Sequence, residues 1–189
     1  MSRASAEVPA PGRGWLREAQ AVPSPNFDAR PEGSDIDLLV IHAISLPPGQ
    51  FGSPYIAQLF TNRLQAEAHP YFVGLHGLRV SAHFLITREG RLLQFVDIFA
   101  RAWHAGVSMW EGRTRCNDFS VGVELEGCDE LPFEDAQYAR LTTLAEQLFQ
   151  HLPALNATRL VGHSDIAPKR KTDPGPHFDW ARARAALSR

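Results

Sequence analysis

The amino-acid sequence predicts an α/β fold in which a single mixed β-sheet is flanked by helices. Residues 36–42 are almost all apolar, which is typical of a strand buried on both faces. Residues 120–126 alternate apolar and polar side chains, as a strand with two different faces does. Residues 133–152 repeat apolar side chains at helical spacing and so indicate a long amphipathic helix. Strands and helices therefore alternate along the chain, which favours one sheet covered by helices.

Turn residues and periodicity place the remaining elements. Pro47, Pro48 and Gly49 indicate a loop after the first strand, and the turn at 88–90 indicates a β-hairpin. The stretch 103–116 has no period and is predicted to be a long loop, a kind of segment that usually carries function. The other expected elements are a short helix at 15–19, a helix at 55–67, hairpin strands at 80–86 and 92–96, a strand at 158–162, and a helix at 180–187 that Asp179 caps.

Length and composition indicate a globular protein of 189 residues. We divide it into an extension over 1–35, in which the stretch from residue 9 is loose and rich in proline and glycine, and a domain over 36–189 on which the extension packs. A net charge of −2 gives no reason to expect nucleic acid or a membrane as partner. The first residues lack the apolar core of a signal peptide, and Cys116 and Cys128 are expected to be free thiols. We therefore expect a cytoplasmic protein and, in solution, a monomer.

Two histidines and an aspartate form a candidate metal site. His42 ends the first buried strand and His163 ends the strand at 158–162, so both imidazoles lie at the same sheet edge if these strands are parallel neighbours. Asp173 follows in a segment that prolines and a glycine between 168 and 175 keep from being a regular helix. Each residue alone is better explained as a strand-end polar group or a turn residue. Together they favour a catalytic Zn²⁺ site with a fourth position for water.

Glu124 is the candidate general base. It lies on the polar face of the strand at 120–126, beside Gly122, which is expected to leave room for a ligand. A carboxylate near a metal-activated water can accept its proton. The alternative, a solvent-facing residue at the edge of a strand, fits Glu126 better than Glu124.

Lys171 is the candidate oxyanion-stabilising group. It precedes Asp173 by two residues, so its ammonium group is expected near the metal. The alternative is a solvated lysine in a basic turn, and that interpretation fits Lys169 and Arg170 better.

With these residues assembled, the chain resembles the zinc-dependent N-acetylmuramoyl-L-alanine amidases, and among them those that cleave anhydromuropeptides. The resemblance covers almost the whole chain between Trp15 and Trp180. The segment Arg170-Lys171-Thr172-Asp173-Pro174-Gly175 is one of the stretches that carry it. The others are 23–27, 39–42, 44–49, 69–72, 80–83, 101–108, 116–120 and 123–127.

The resemblance implies the amidase fold and a set of roles. It implies that Zn²⁺ is bound by His42, His163 and Asp173, that Glu124 is the catalytic base and that Lys171 stabilises the oxyanion. It also implies hydrolysis of the amide between the lactyl group of 1,6-anhydro-N-acetylmuramic acid and L-alanine of the stem peptide. Such a reaction belongs to peptidoglycan recycling in the cytoplasm.

Two departures concern residues near the site. Relatives that cleave the intact wall often carry tyrosine before the hairpin histidine, and here Ala82 precedes His83, which leaves Glu124 as the better candidate base. Anhydromuropeptide-cleaving relatives usually have asparagine after the first ligand, and this chain has Ala43. We expect that change to affect affinity rather than chemistry.

Substrate contacts are the least determined part of the site. Arginine recognises carboxylates with two parallel hydrogen bonds, so the stem peptide is a candidate partner for three arginines. Ordinary surface solvation explains any one of them equally well. Two further residues are candidates to flank the sugar or the metal. The arginines are Arg79, Arg113 and Arg115, and the flanking residues are Trp103 and His104.

Two other functions fit parts of the pattern. A zinc peptidase would cut within the stem peptide and leave the sugar linked. A muropeptide-binding sensor would have lost catalysis. The chain retains the three candidate ligands, Glu124 and Lys171, and this favours an enzyme over a sensor that has lost catalysis.

Overall fold

A six-stranded mixed β-sheet forms the centre of the molecule in the computed structural model, which describes residues 14–187. The strand order is β1-β5-β4-β9-β3-β10, with β4 and β5 antiparallel and the other neighbours parallel. The strands of this sheet are β1 (Gln20–Ala21), β3 (Leu38–Ile44), β4 (Phe84–Ile86), β5 (Leu92–Gln94), β9 (Ser120–Glu126) and β10 (Leu160–Gly162). The predicted α/β fold with one mixed sheet is confirmed.

Helices and two small two-stranded sheets complete the fold. β2 (Phe27–Asp28) pairs with β6 (Arg101–Ala102), and β7 (Met109–Trp110) pairs with β8 (Arg113–Thr114). The α-helices are α1 (Tyr55–Phe60), α2 (Asp135–His151), α3 (His163–Ile166) and α4 (Trp180–Leu187), and 3₁₀ turns cover Ala66–Ala68, Pro70–Leu75, Cys116–Asp118 and Ala157–Arg159. Within residues 14–187, no helix combines the length and the apolar character needed to cross a membrane.

Apolar side chains cover both faces of the sheet. On one face, Leu144 and Leu148 of α2 pack in a cluster with Ile41 of β3 and Val123 of β9. On the other face, a second cluster joins α1 to β4 and the hairpin. All seven residues of β9 are consequently buried, so its alternating pattern separates two covered faces rather than a covered face from a solvated one.

Several predicted elements agree with the structure. The strand at 120–126 and the helix at 180–187 have the predicted bounds, and Asp179 Oδ1 accepts a hydrogen bond from the backbone N–H of Arg182. The hairpin and the long helix are present but shorter than predicted. At the start of α2, Gln137 Oε1 accepts a hydrogen bond from the N–H of Glu134 at 3.0 Å, which helps to explain where that helix begins.

Three predictions of local structure are wrong. Residues 15–19 form turns, and the N–H of Leu16 donates to Gln94 Oε1. The helix predicted at 55–67 ends at Phe60, because Asn62 has a φ of 57° and exchanges amide hydrogen bonds with Asn26. The stretch 103–116 is not all loop, since it contains the β7–β8 hairpin, whose turn has positive φ at residues 111 and 112.

Residues 14–35 are joined to the sheet rather than laid over it. β1 adds an edge strand beside β5, and β2 pairs with β6. The loose start predicted over residues 9–13 lies outside the described residues. The division at residue 35 stays a prediction.

Candidate active site

Three parallel strands bring the candidate residues to one edge of the sheet. The register of β3 and β9 sets His42 directly opposite Glu124. The register of β3 and β10 sets Gly162 opposite Ile41, so His163 follows at the level of His42. The expectation that the two histidine-bearing strands are parallel neighbours is therefore confirmed, although β3 continues to Ile44 instead of ending at His42.

His42, His163 and Asp173 form a triangle of ligand atoms. His42 Nδ1 lies 2.9 Å from His163 Nδ1, and each of these nitrogens lies 3.1 Å from Asp173 Oδ2. Tetrahedral zinc with bonds of 2.0–2.1 Å separates its donor atoms by about 3.3 Å. Two imidazoles and one carboxylate are a common donor set for catalytic zinc. The cluster can therefore hold a metal ion, as its spacing also indicates.

The segment after His163 folds back on itself and carries Asp173 to the cluster. His163 begins a single helical turn, and Asp165 closes its start by accepting a hydrogen bond from the N–H of Gly162 at 2.7 Å. The carbonyl of Asp173 accepts a hydrogen bond from the N–H of Ser164 at 2.9 Å. Pro174 is buried against Gly162, where an added Cβ would come within 2.9 Å of its ring. The predicted irregular segment is thus interrupted by one helical turn.

Arg170 is exposed, as expected for a residue of the basic turn, but it also makes defined contacts. Its Nη2 donates to the carbonyls of Ala105 and Val107, both at 2.7 Å. Ala105 O also lies 3.1 Å from His163 Nε2. Arg170 therefore ties the 105–107 loop to the segment that carries the ligands. Lys169 and Lys171 are exposed.

Burial controls the protonation of the ligand cluster. It lowers the pKa of His42 to about 4, in spite of the hydrogen bond with Asp173. Burial alone would raise the pKa of Asp173, but the contacts of its carboxylate with the imidazoles of His163 and His42 outweigh burial and hold that pKa below its usual range. Near neutral pH, the cluster therefore presents a neutral His42 imidazole and an ionised Asp173 carboxylate, which are the protonation states that a divalent metal requires of such ligands.

Glu124 is a buried carboxyl group without a fixed partner. Its residue is 8% exposed, and its Oε2 is buried with no hydrogen-bond partner within the described part of the chain. Burial raises the pKa of Glu124 well above its usual value, and the charge of Asp173 adds to the shift, whereas Lys171 opposes it. A buried carboxyl group with a raised pKa is a candidate for proton exchange with a molecule bound beside it.

The space beside Glu124 is filled by His104 rather than left open as predicted. A Cβ added to Gly122 would lie 2.4 Å from Cγ of the His104 ring. Burial lowers the pKa of His104 well below its usual value, and the neighbouring histidines add to the effect. Glu126 is not a solvated edge residue either. It is 2% exposed and accepts hydrogen bonds from the N–H groups of Gly52 and Arg88.

A cavity of about 380 Å³ opens over the cluster. Glu124, Lys171, Trp103 and His104 line it together with the three candidate ligands. Its remaining walls are largely apolar and include Leu46, Tyr71, Leu75, Leu78 and Val80, and Ala43 and Cys128 also border it. The structure thus brings seven of the ten predicted site residues to one cavity.

The three candidate arginines lie elsewhere. Arg113 pairs with Asp37 at 2.7 Å, and Arg115 pairs with Asp118 at 3.3 Å. Arg79 borders a neighbouring cavity of about 190 Å³, which shares Leu75 and other apolar residues with the cavity over the cluster. None of the three lines the cavity that holds the metal-ligand cluster.

The prediction from sequence left out two residues near the site. The hydroxyl of Ser120 contacts the ring of His104, and the guanidinium group of Arg170 contacts the ring of His163. Ser120 opens a strand and Arg170 lies in a basic turn, so neither carries a pattern that marks it. Only the three-dimensional arrangement identifies them.

The comparison with known protein families gives one match that spans most of the chain. The model of the N-acetylmuramoyl-L-alanine amidases matches residues 32–176. The 1,6-anhydro-N-acetylmuramyl-L-alanine amidase AmpD of Citrobacter freundii is 56% identical over 175 residues, which are 93% of this chain and 93% of that protein.

Solved structures give the same result. A crystal structure of an AmpD selenomethionine derivative superposes with a TM-score of 0.90 at 56% identity, covering 93% of this chain and 98% of that one. The Escherichia coli amidase AmiD, solved with anhydro-N-acetylmuramic acid-L-Ala-D-γ-Glu-L-Lys, has a TM-score of 0.61 at 29% identity and covers 83% of this chain and 60% of that one. Sequence, fold and site therefore agree, and the chain belongs to the N-acetylmuramoyl-L-alanine amidase family.

Proposed function

We propose that this protein hydrolyses the amide between the lactyl group of 1,6-anhydro-N-acetylmuramic acid and L-alanine of the stem peptide. The observation that carries the proposal is the convergence of His42, His163 and Asp173 with Glu124 and Lys171 on one cavity. The AmpD relatives are named for this activity, and AmiD was solved with a substrate of this class.

The metal in this proposal is zinc. Three donor atoms about 3 Å apart suit its small tetrahedral shell, and Glu124, whose Oε2 has no hydrogen-bond partner within residues 14–187, lines the same cavity. A zinc ion at this site would supply Lewis acidity, which activates water as a nucleophile and polarises the scissile carbonyl. His42, His163 and Asp173 would hold it.

Glu124 moves the proton. As a carboxylate it accepts a proton from the attacking water, and as a carboxylic acid it returns that proton to the leaving nitrogen of L-alanine. Its burial raises its pKa, which favours return of the proton from the carboxylic acid to the leaving group. Because the carboxyl group starts and ends the cycle in the same state, one residue serves as base and then as acid.

Lys171 stabilises negative charge on the carbonyl oxygen during attack. Lys171 lines the cavity, and its charge influences the pKa of both Glu124 and His42, which supports this role. A preorganised cation at a developing oxyanion lowers the barrier strongly. Lys171 also draws the pKa of Glu124 downward and so limits the effect of burial on the base.

The cavity walls suit a substrate with an apolar sugar face and a polar peptide. Trp103 lines the cavity, and hydrogen bonding to its side chain helps to keep the pKa of Asp28 low, after the larger effect of Arg101. We assign Trp103 to the sugar. Arg79, on the adjoining cavity, is the best placed of the three arginines to meet a stem-peptide carboxylate.

We further propose that the protein works in the cytoplasm as a monomer, in the recycling of wall fragments. Small anhydromuropeptides fit a site at the edge of a sheet without a partner chain. Sedimentation at working concentration tests the monomer, and fractionation of the cells that make the protein tests its location.

Product analysis tests the proposed reaction. Zinc-loaded protein is incubated with anhydro-N-acetylmuramoyl-L-Ala-D-γ-Glu-L-Lys, and the products are identified by mass spectrometry. The amidase releases the free anhydro sugar and the intact peptide. A zinc peptidase would release amino acids and leave the sugar linked, and a binding sensor would return the substrate unchanged. Either of these results would overturn the proposal.

A further inference from the structure

A chain of hydrogen bonds runs from the backbone to one of the candidate metal ligands. His42 Nε2 lies 2.9 Å from His104 Nδ1. On the far side of the same ring, His104 Nε2 lies 3.2 Å from Ser120 Oγ. Ser120 Oγ in turn lies 2.6 Å from the carbonyl oxygen of Cys116. The ring of His104 therefore bridges a ligand and a fixed backbone acceptor.

The chemistry of each group fixes the direction of every hydrogen bond in this chain. A carbonyl oxygen only accepts, so the single hydroxyl proton of Ser120 points to Cys116 O. Ser120 Oγ must then accept from His104 Nε2–H. In the neutral ring this leaves His104 Nδ1 as an acceptor, and His42 Nε2–H donates to it. His42 Nδ1 consequently carries a lone pair, and this is the atom that faces His163 and Asp173.

We propose that Ser120 and His104 are positioning residues that hold His42 in the tautomer whose unprotonated Nδ1 binds the metal. The proposal rests on the zinc site of the proposed function. Ligating histidines commonly donate their second N–H to an oriented acceptor, which fixes the ring and strengthens its donor nitrogen. Here the acceptor is the ring of His104. Ser120 orients that ring, and the backbone carbonyl of Cys116 orients the hydroxyl of Ser120.

The packing around His104 supports a built arrangement. Its ring lies over Gly122 so closely that a Cβ there would come within 2.4 Å of Cγ. Asn117 Oδ1 accepts hydrogen bonds from the N–H groups of His104 and Ala105, at 3.2 and 2.8 Å, which fixes the backbone below the ring. The glycine and the asparagine therefore hold His104 where it meets His42.

The second histidine ligand is served differently. His163 Nε2 lies 3.1 Å from the carbonyl of Ala105, which can only accept. The tautomer of His163 is thus set by the backbone directly. A carbonyl cannot change its hydrogen-bonding role, whereas His104 can present either nitrogen as donor. For that reason Ser120 is needed near His42, because it determines which nitrogen of His104 carries the proton.

Zinc affinity tests this inference without reference to turnover. The dissociation constant is measured by competition with a chromophoric chelator for the wild type and four variants. His104→Phe keeps a ring over Gly122 but removes both nitrogens, and we expect it to weaken zinc binding about 10–100-fold. His104→Asn restores an acceptor oxygen where Nδ1 stood, and we expect it to recover most of that loss. Ser120→Ala should weaken binding by a smaller factor than His104→Phe.

His151→Phe is the matched control, since His151 is exposed on α2 and, within the described residues 14–187, its ring bonds only the local carbonyl of Gln147. It should bind zinc as the wild type does. Thermal unfolding of each metal-free variant shows whether it folds. If folded His104→Phe binds zinc as tightly as the control, the inference is wrong.

Nitrogen-15 NMR of the imidazole rings provides a readout that needs no variant. In zinc-loaded wild-type protein, we expect His42 and His104 both to carry their proton on Nε2. A proton on His104 Nδ1 would contradict the inference. Failure of the wild type to bind zinc at all would instead contradict the proposed metal site, so the two failures are distinguishable.

Discussion

Glu124→Gln separates catalysis from folding at the buried carboxyl group. Gln has nearly the shape of Glu but cannot accept the proton of the attacking water. General acid–base catalysis contributes about 10²–10⁴-fold, so we expect kcat to fall by that factor, or by about 3–5 kcal/mol of barrier. The ligand cluster is untouched, so equimolar zinc should remain bound. Product release, followed by mass spectrometry, checks the fall in kcat. Metal content, measured on the same sample, checks that zinc is retained.

The same change should stabilise the metal-free protein at neutral pH. Because burial raises the folded-state pKa of Glu124 above its unfolded value, the unfolded chain loses this proton first. Wild-type stability therefore falls as pH rises from about 4.5 toward the folded-state pKa. Gln has no such dependence. Urea unfolding should show no gain for Glu124→Gln at about pH 4 and a clear gain at about pH 7.

Glu126→Gln is the matched control, two residues along the same strand. Glu126 accepts the N–H of Gly52 at 2.6 Å and the N–H of Arg88 at 3.1 Å, one with each oxygen. Gln can accept only one of them and sets its NH₂ against the other, which costs about 1.5–3 kcal/mol. This variant should lose stability and keep kcat. If Glu124→Gln keeps more than a tenth of the wild-type kcat, or if the two variants lose activity equally, the reasoning about Glu124 is refuted.

Three further changes test other parts of the structure. Lys171→Met should lower kcat about 10²–10³-fold with zinc retained, whereas Lys169→Met should leave kcat unchanged, and equal effects in steady-state assays would contradict the role of Lys171. Asp173→Ala should remove tight zinc binding, and wild-type metal content after dialysis would contradict its place among the ligands. Leu144→Ala, at a fully buried position of α2, should cost about 2–5 kcal/mol in urea unfolding. Leu131→Ala, at a position that is 44% exposed, should cost under about 0.5 kcal/mol, and similar costs would contradict the assignment of the core.

Strong periodic signals predicted the sheet well. The strand at 120–126 has its predicted bounds because its side chains alternate between two faces of the sheet, and both faces are covered over all seven residues. The helix at 180–187 begins where predicted because Asp179 caps it. The fold class follows from such elements, since each depends on residues close in sequence.

The wrong predictions concern segments whose structure depends on distant residues. The helix at 55–67 ends early because Asn62 bonds Asn26, which lies 36 positions before it. Glu126 has the same alternation as Glu124, yet its partners come from Gly52 and Arg88. Nothing in the local pattern distinguishes these cases.

The ligand cluster could be predicted because its histidines lie near strand ends. The hydrogen bonds that hold those histidines in place could not be predicted. His42 lies near the end of β3 and His163 directly follows β10, and these two strands are parallel neighbours in register, so the meeting of the two histidines follows from topology. His104 came from a loop without a period, and its contact with His42 depends on a glycine in another strand. The arginines failed to reach the cavity because two of them pair with Asp37 and Asp118 instead.

The most direct test titrates zinc into metal-free protein while product formation and bound metal are followed together. The substrate is anhydro-N-acetylmuramoyl-L-Ala-D-γ-Glu-L-Lys, and the products are identified by mass. We predict that release of the free anhydro sugar rises in proportion to bound zinc and stops rising at equimolar metal. Full release of that sugar before zinc is added, or zinc-dependent products in which the sugar remains linked to L-alanine, would contradict the account.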